Sequence, residues 1–334
     1  MALFDLRPRS ARWALCVLAC LIAQSGCTPI KVKLGLEVYL DKTPVSSMEA
    51  KLPKGPGIAP GEKSPLVVAF TQPDGKVLVT EGEGHGKILW SDLKLTATVV
   101  TADKKGVLTL PRDPRISEGK IPHVTVTVPS HPDLKADLDI PVRYDYNYTS
   151  KFSGGAGSMG FNGHDGLDGI SGSMGSMDPN NPQPGGDGTN GTDGTNGDDG
   201  GAAGDGPPVQ VRVALKPGSH PLLQMSVSAA GHERLYLVDP QGGSLTVESS
   251  GGPGGQGGKG GRGGRGGSGG IGSPNGRDGL NGSDGRSGFD GQPGRGGSIT
   301  VTYDHQAKPF LSALRLSNRG GPPPVYREEP VGPL

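Results

Sequence analysis

Glycine recurs at every third position over two long stretches of this chain, and no other feature limits the possible fold as strongly. The first stretch has glycine at each third residue from 154 to 175 and again from 185 to 200. In the second, every third residue from 252 to 297 is glycine except Ser273. A polyproline II helix has three residues per turn, so this spacing gives it one bare face that another backbone can approach closely.

Three structures fit a glycine period of three. A collagen triple helix requires three chains and is stabilised by proline, yet residues 154–175 contain none. A bundle of polyproline II helices within one chain requires several bare faces, and residues 251–272 supply a second all-glycine row. A flexible spacer requires no phase. We prefer the monomeric bundle to the collagen-like trimer and the spacer, with Gly-Gly-X tracts among several neighbours and Gly-X-Y tracts at the edge.

The glycine-rich run beginning at residues 251–258 (GGPGGQGG) resembles the glycine-rich domain of Obg-type GTPases and the tips of some phage adhesins. No phosphate-binding loop of the P-loop or dinucleotide type accompanies these glycines. The resemblance therefore implies a polyglycine II fold and no GTPase activity. We expect no cofactor, and the 33 basic and 33 acidic residues give no reason to expect a nucleic-acid partner.

The N-terminus has the layout of a secretory signal peptide. Three arginines precede an apolar run at 13–23, which is shorter than the about 20 residues of a membrane-spanning helix. The following Ser25-Gly26-Cys27 resembles the lipobox of bacterial lipoproteins, although Gln24 stands where that family prefers leucine. The resemblance implies removal of residues 1–26, lipid on Cys27, and a membrane partner. It places the protein in the bacterial cell envelope, at the outer membrane or cell surface.

Residues 27–150 have the pattern of an ordinary β domain, because apolar and polar residues alternate between turn sequences. The segment 101–107 (TADKKGV) resembles the strand–turn–strand of bacterial immunoglobulin-like surface domains, which implies a β-sandwich. We predict strands at 30–40, 66–70, 76–80, 93–101, 106–110, 123–128 and 134–144.

A second set of strands alternates with the glycine stretches, at 209–213, 222–228, 234–238, 245–248, 299–303 and 311–316. Residues 209–231 share a strand–loop–strand pattern with residues 299–320, and 245–252 (LTVESSGG) matches 314–321 (LRLSNRGG). This longer repeat predicts an architectural unit in which a pair of strands alternates with a glycine tract.

The predicted fold class is all-β, an immunoglobulin-like β-sandwich followed by glycine-rich polyproline II (polyglycine II) tracts interleaved with β-strand pairs. The predicted segments are a lipoprotein signal peptide at 1–26, the β-sandwich at 27–150, a first Gly-X-Y tract at 151–206, a strand segment at 207–250, a second glycine tract at 251–297, and a strand pair with a proline-rich tail at 298–334.

Two rows of charged or polar residues follow the glycine period. One row contains Asp187, Asn190, Asp193, Asn196 and Asp199, and the other contains Lys259, Arg262 and Arg265. Residues three apart in a polyproline II helix are separated by about 9 Å, too far to share a calcium ion. We therefore interpret the first row as a solvated acidic edge. We hypothesise that it pairs with the basic row and sets which helices lie together.

No set of residues in the sequence has the pattern of an enzyme active site, so we expect a non-enzymatic protein in which Cys27 alone has a chemical role. A structural or adhesive surface lipoprotein is the favoured function. The alternative is a lipoprotein that binds a sugar or peptide in an aromatic-lined groove of the N-terminal sandwich. The aromatic residues available there are Tyr39, Phe70, Trp90, Tyr144, Tyr146 and Tyr148.

Overall fold

A computed structural model describes residues 37–216, 218 and 220–332 of the chain. Cys27, the predicted signal peptide and most of the strand predicted at 30–40 lie outside the described residues. The chain is mostly β, with several small sheets and few helices, and it divides into two compact units at residues 143 and 144. No helix within the described part of the chain has the length and apolar composition needed to cross a membrane.

Unit 1 contains three small antiparallel sheets, in the strand orders β1-β3-β4, β2-β7-β6 and β5-β8-β9. The strands are β1 (Ser47–Lys51), β2 (Lys63–Pro65), β3 (Val67–Thr71), β4 (Val77–Val79), β5 (Lys94–Thr98), β6 (Thr101–Ala102), β7 (Val107–Thr109), β8 (His123–Val128) and β9 (His131–Asp139). The α-helix α1 (Pro114–Ser117) and 3₁₀ helices at Leu40–Lys42, Gly82–Gly84 and Trp90–Asp92 complete the described part of unit 1.

The three sheets of unit 1 share one apolar core that includes Val68, Phe70, Leu108, Val126 and Ile140. Alternation along β8 buries Val124, Val126 and Val128 on one face, as its sequence predicts.

The strand predicted at 93–101 is wrong in one respect, because it is interrupted between β5 and β6. There Val99 has φ 68°, a left-handed conformation that a β-branched residue rarely adopts. The segment predicted to be a strand through residue 40 likewise ends in a 3₁₀ helix that starts at Leu40.

Unit 2 contains a three-stranded parallel sheet, β10-β14-β16, and a five-stranded sheet, β13-β12-β11-β15-β17. The strands are β10 (Asn147–Ser153), β11 (Val209–Lys216), β12 (Leu222–Ala229), β13 (His232–Val238), β14 (Ser244–Ser250), β15 (Ile299–Tyr303), β16 (Leu314–Ser317) and β17 (Val325–Glu328). A 3₁₀ helix at His305–Ala313 occupies the start of the strand predicted at 311–316. The rings of Tyr148 and Tyr236, one from each sheet, lie 5.5 Å apart between centroids.

The repeat in the sequence corresponds to the strand pairing in unit 2. Parallel strands β11 and β15 place Val209 opposite Ile299, and parallel strands β14 and β16 place Leu245 opposite Leu314. These are the same alignments that the sequence repeat gives. Strand β17 continues the same order, because it pairs in parallel with β15. Residues 318–324 alone connect β16 to β17, without a long glycine segment.

Candidate interaction surface

Four extended glycine arms, which have neither helix nor strand assignment, make up most of the rest of unit 2. Arm 1 (154–175) continues from β10, and arm 2 (185–206) runs back to β11. Arm 3 (251–272) continues from β14, and arm 4 (275–296) runs back to β15. The chain therefore forms two antiparallel pairs of arms.

The arms are joined by backbone hydrogen bonds of 2.7–3.0 Å that recur at every third residue. They connect arm 1 with arms 2 and 3, arm 4 with arms 2 and 3, and arm 2 with arm 3. At one level, for example, Gly163 donates to the carbonyl of Lys259, Thr195 donates to His164, and Gly261 donates to Thr195. Arms 2 and 3 each contact three arms, and arms 1 and 4 each contact two.

Glycine is required where two arms meet, because their backbones leave no room for a side chain. A Cβ atom on Gly163 would overlap the carbonyl oxygen of Thr195, and one on Gly261 would overlap that of His164. Arm 3, the Gly-Gly-X arm, accordingly lies among three neighbours, as its two bare rows predict. Arm 2 also has three neighbours, so the expectation that a Gly-X-Y arm lies at the edge is wrong for arm 2.

The strands determine the register of the arms. Strands β10 and β14 pair Asn147 with Ser244, and the same offset of 97 residues separates Asn162 from Lys259, which are hydrogen bonded across arms 1 and 3. Strands β11 and β15 have an offset of 90 residues, which recurs between arms 2 and 4. In each sheet, the residue offset between two parallel strands is therefore the same as the offset between the two parallel arms that adjoin them.

Aspartate and asparagine side chains accept backbone N–H groups of the adjacent arm. From arm 1, Asn162, Asp165 and Asp168 accept the N–H groups of Lys259, Arg262 and Arg265 at 2.7–2.8 Å. A backbone N–H without an acceptor destabilises a compact structure, so these contacts supply partners that the arm geometry alone leaves missing. Side chains of arm 4 likewise accept backbone N–H groups of arm 3, and these are Asn275, Asp278, Asn281, Asp284 and Asp290.

The row at Asp187, Asn190, Asp193, Asn196 and Asp199 therefore has a different role from the solvated acidic edge predicted for it. Each of these side chains accepts a backbone N–H of arm 4 at 2.6–2.8 Å. No group of three or more histidine, cysteine or carboxylate side chains among the described residues is arranged to hold a metal ion.

The hypothesis that the two charged rows pair with each other is also wrong. The row at 187–199 bonds to arm 4, whereas Lys259, Arg262 and Arg265 are attached to arm 1 through their backbones. No ion pair links the two rows in the part of the chain that the structure describes. Backbone bonding, and not charge, aligns these arms.

Threonine supplies a further set of contacts that the sequence analysis missed. The hydroxyls of Thr189, Thr192 and Thr195 in arm 2 accept the N–H groups of Ile170, Leu167 and His164, each at 2.7 Å. The signal available in the sequence is the constant position of these threonines, directly after the glycine of each triplet.

Side chains on arms 1 and 4 prevent a further arm from packing on either side of the four-arm array. The second glycine row of arm 3 (258, 261, 264 and 267) has bulky equivalents in arm 1, namely Phe161, His164, Leu167 and Ile170. A Cβ atom on Gly258 would overlap the carbonyl oxygen of Phe161, so no further arm can pack against arm 1 as arm 1 packs against arm 3. Arm 4 has aspartate, asparagine or, at position 287, serine where arm 2 has its glycine row.

Large apolar side chains point into solvent along arm 1. Phe161 is 80% exposed, Leu167 75% and Ile170 76%, and Met159 and Met174 are similarly accessible. Arm 4 carries a smaller set, Leu280 and Phe289. Monomeric proteins rarely expose large apolar patches, and such patches are typical of surfaces that contact a partner. We call these five exposed residues of arm 1 the arm 1 comb. Phe161, Leu167 and Ile170 share one row of the glycine period, whereas Met159 and Met174 belong to the neighbouring row.

Comparison of the chain with protein-family models, curated proteins and solved structures finds no match. The arrangement of its own residues is therefore the basis for proposing a function.

The aromatic residues predicted to line a ligand groove are distributed over both units. In unit 1 a groove of about 510 Å³ is lined by Trp90, Leu93, Leu95 and charged residues including Glu81 and Lys94. Trp90 is the one aromatic residue in its lining, and it is only 6% exposed because its ring packs on Gly106. Phe70 is buried in the core, and Tyr148 contacts Tyr236 in unit 2.

A polar cluster lies across strands β8 and β9 of unit 1. His123 bonds to Asp139 at 2.7 Å and to Asp137 at 3.2 Å, and Thr125 donates to Asp137. The pKa of His123 is raised, chiefly by its hydrogen bond to Asp139. Hydrogen bonds from Lys135 and then Thr125 lower the pKa of Asp137 to about 2. The side chains of β8 and β9 bond to each other on an exposed strand face, and the hydroxyl of Thr125 is used in this bonding. We therefore interpret these residues as a cross-strand contact.

Proposed function

We propose that the four arms are polyglycine II helices packed side by side within one chain. Three observations support this assignment: the hydrogen bonds recur at every third residue, the glycine rows lie where arms meet, and the bonds link segments of the same chain. The same proposal takes unit 1 as an immunoglobulin-like sandwich, supported by its antiparallel sheets around a common core.

The proposed function is that of a lipid-anchored surface lipoprotein with a structural or adhesive role, and not of an enzyme. The observation that carries it is the arm 1 comb, a set of apolar side chains that are 71–80% exposed on an arm whose glycine N–H groups from residue 157 to 175 are bonded to arm 3. Such a body presents its side chains in a fixed arrangement, which reduces the entropy lost on contact with a partner. The lipobox resemblance at Cys27 supports the anchor and the envelope location.

The alternative, a lipoprotein that binds a sugar or peptide, would use the groove beside Trp90. Sugars and peptides that bind aromatic residues require an accessible ring face, and the ring of Trp90 is covered by Gly106. The exposed comb therefore favours a structural or adhesive role.

Fractionation of bacterial cells expressing the chain tests the anchor. The unmodified chain should sediment with membranes, and the Cys27→Ser variant should appear in the soluble fraction with unchanged thermal unfolding. Cys20→Ser is the matched control and should remain with the membranes. Release of neither variant would contradict the proposed anchor.

The structural or adhesive role is tested on intact cells. Protease added outside the cells should remove epitopes of the unmodified protein, and the Phe161→Ser variant should be displayed equally but should lose association with its envelope or surface partner. Equal association of both proteins would contradict a role for the comb.

A further inference from the structure

Aspartate or asparagine stands directly before a glycine at fourteen places in the arms, three in arm 1, six in arm 2 and five in arm 4. In a flexible chain the nitrogen of such a glycine attacks the side-chain carbonyl carbon of the preceding residue, since no Cβ atom of glycine hinders the approach. The attack closes a succinimide ring and releases ammonia from asparagine or water from aspartate. Water then opens the ring at either carbonyl and leaves aspartate or isoaspartate. The fourteen pairs are therefore latent modification sites.

Two hydrogen bonds hold every one of these fourteen pairs. The side-chain oxygen accepts a backbone N–H of another arm at 2.6–3.0 Å. The N–H of the following glycine donates to a backbone carbonyl of another arm at 2.7–2.9 Å. At Asn196 and Gly197, for example, both bonds go to the backbone of Arg286.

The attack requires both hydrogen bonds to break. The glycine nitrogen must lose its proton before it acts as a nucleophile, and base removes a proton that is bonded to a carbonyl only after the bond opens, as in hydrogen exchange. The side-chain carbonyl carbon must also turn towards that nitrogen, whereas its oxygen is held on the adjacent arm. Closed arms therefore keep the pairs unreactive, and opened arms release them.

An isoaspartate residue would also prevent the arms from closing again. The main chain then passes through the former side chain, which adds one carbon atom to the backbone. A polyproline II arm repeats every three residues, so the glycines beyond the added atom no longer face the adjacent arm. After an isoaspartate at position 165, Gly166 and Gly169 would leave places where a Cβ atom overlaps backbone carbonyl oxygens of arm 2.

We propose that the closed bundle protects its aspartate–glycine and asparagine–glycine pairs from succinimide formation, and that reaction of these pairs converts an opened bundle irreversibly into a form that does not close. This inference rests on the proposed polyglycine II bundle. It gives the structural role a chemical lifetime, because the opened state is removed by covalent modification and the closed state is not.

Rates of isoaspartate formation test the proposal on the Cys27→Ser chain exported by a bacterial host. The chain is kept in mildly alkaline buffer, either folded or in enough urea to unfold it, and mass spectrometry of its peptides measures the product at each pair. Folded chains should form the product in the arms at least about a hundredfold more slowly than unfolded chains. Equal rates in the two states would overturn the proposal.

A variant that opens one crossing tests the link to opening. Gly261→Ala alters no reactive pair, yet its Cβ atom would overlap the carbonyl oxygen of His164. It should speed product formation at Asp165 at least about tenfold. Gly155→Ala is the matched control, because its Cβ atom would meet nothing within 4 Å, and it should leave the rate unchanged. The same rate at Asp165 in both variants would contradict the proposal.

Refolding tests the irreversible step. Chains unfolded briefly should regain amide protection in the arms after the urea is diluted, whereas chains unfolded until most pairs have reacted should not, and full recovery of reacted chains would overturn this step.

Hydrogen exchange on the folded sample separates this inference from the bundle itself. Protected arm amides with product forming at the unfolded rate would overturn the inference and leave the bundle standing. Unprotected arm amides with product forming at that rate would overturn both.

Discussion

The carboxylate of Asp165 accepts the backbone N–H of Arg262 at 2.7 Å, across 97 residues of sequence. The carbonyl of Arg262 in turn accepts the N–H of Gly166, the next residue after Asp165. The consecutive residues Asp165 and Gly166 of arm 1 thus satisfy both backbone groups of Arg262 in arm 3. The same pairing recurs where Asn162-Gly163 and Asp168-Gly169 contact arm 3.

Removal of these side-chain acceptors should destabilise unit 2 modestly. Replacement of Asn162, Asp165 and Asp168 by alanine should cost about 0.5–1.5 kcal/mol for each lost hydrogen bond, since water can reach the freed N–H groups. Changing Asp165 and Asp168 to asparagine keeps the acceptor and should cost much less. Urea unfolding of the three proteins measures the difference, and equal stability of the alanine and asparagine variants would contradict the acceptor role.

A methyl group at a crossing of two arms should be far more disruptive than one on an open surface. Gly163→Ala places its Cβ atom against backbone atoms of Thr195 and Gly261, whereas a Cβ atom on Gly155 would meet nothing within 4 Å. We expect Gly163→Ala to cost about 1–3 kcal/mol or more, because backbone cannot move aside cheaply. Gly155→Ala should unfold at nearly the original temperature, and similar losses in both variants would argue against close packing at Gly163.

Reversing the charges of the basic row at Lys259, Arg262 and Arg265 should leave the alignment of the arms unchanged. The described structure places no ion pair on Lys259, Arg262 or Arg265, and their attachment is through backbone N–H groups. Changing all three to glutamate should therefore alter the free energy of unfolding by about 1 kcal/mol or less, an effect that added salt reduces. A large loss of stability, or a change in which amides are protected from exchange, would restore charge pairing as the cause of register.

The imidazole of His123 should have a higher pKa than an ordinary histidine. Its pKa is raised by Asp139 and then Asp137, so the folded state favours the protonated ring. The stabilisation is complete below about pH 6.5 and is lost as pH rises through the raised pKa. NMR titration should give a lower pKa for His123 in Asp139→Asn and an unchanged one in Asp133→Asn, which alters a neighbouring carboxylate of β9.

The sequence predicts most of the β strands, because alternation such as that along β8 reflects burial on one face. It misses β1, β2, β10 and β17, whose sequences carry no regular apolar alternation. The repeat of 209–231 in 299–320 aligns residues that lie opposite each other in β11 and β15. The strand pair predicted at 298–334 does not form, because β15 and β16 lie in different sheets. The break at Val99 escapes prediction, since a left-handed backbone at a β-branched residue arises from the tertiary contacts around it.

The sequence analysis identified one row that joins the arms, at residues 187–199, but gave it the wrong role, and it missed the acceptors of arms 1 and 4. The position of Asp187 within its triplet repeats regularly, but the sequence alone does not reveal which backbone lies opposite it. That partner, Arg277, is determined by the pairing of β11 with β15 and so by residues far along the chain. The threonines of arm 2 were missed for the same reason.

Hydrogen exchange at individual amides of monomeric protein tests the central claim, that the arms form one bundle within one chain. Every N–H from Gly257 to Arg265 in arm 3 has an acceptor, so all nine should be protected. In arm 1, Gly163 and His164 should be protected, whereas Asp165, whose N–H has no acceptor among the described residues, should exchange quickly. Protection of only one amide per triplet in arm 3, as in a collagen triple helix, or of none, as in a spacer, would contradict the account.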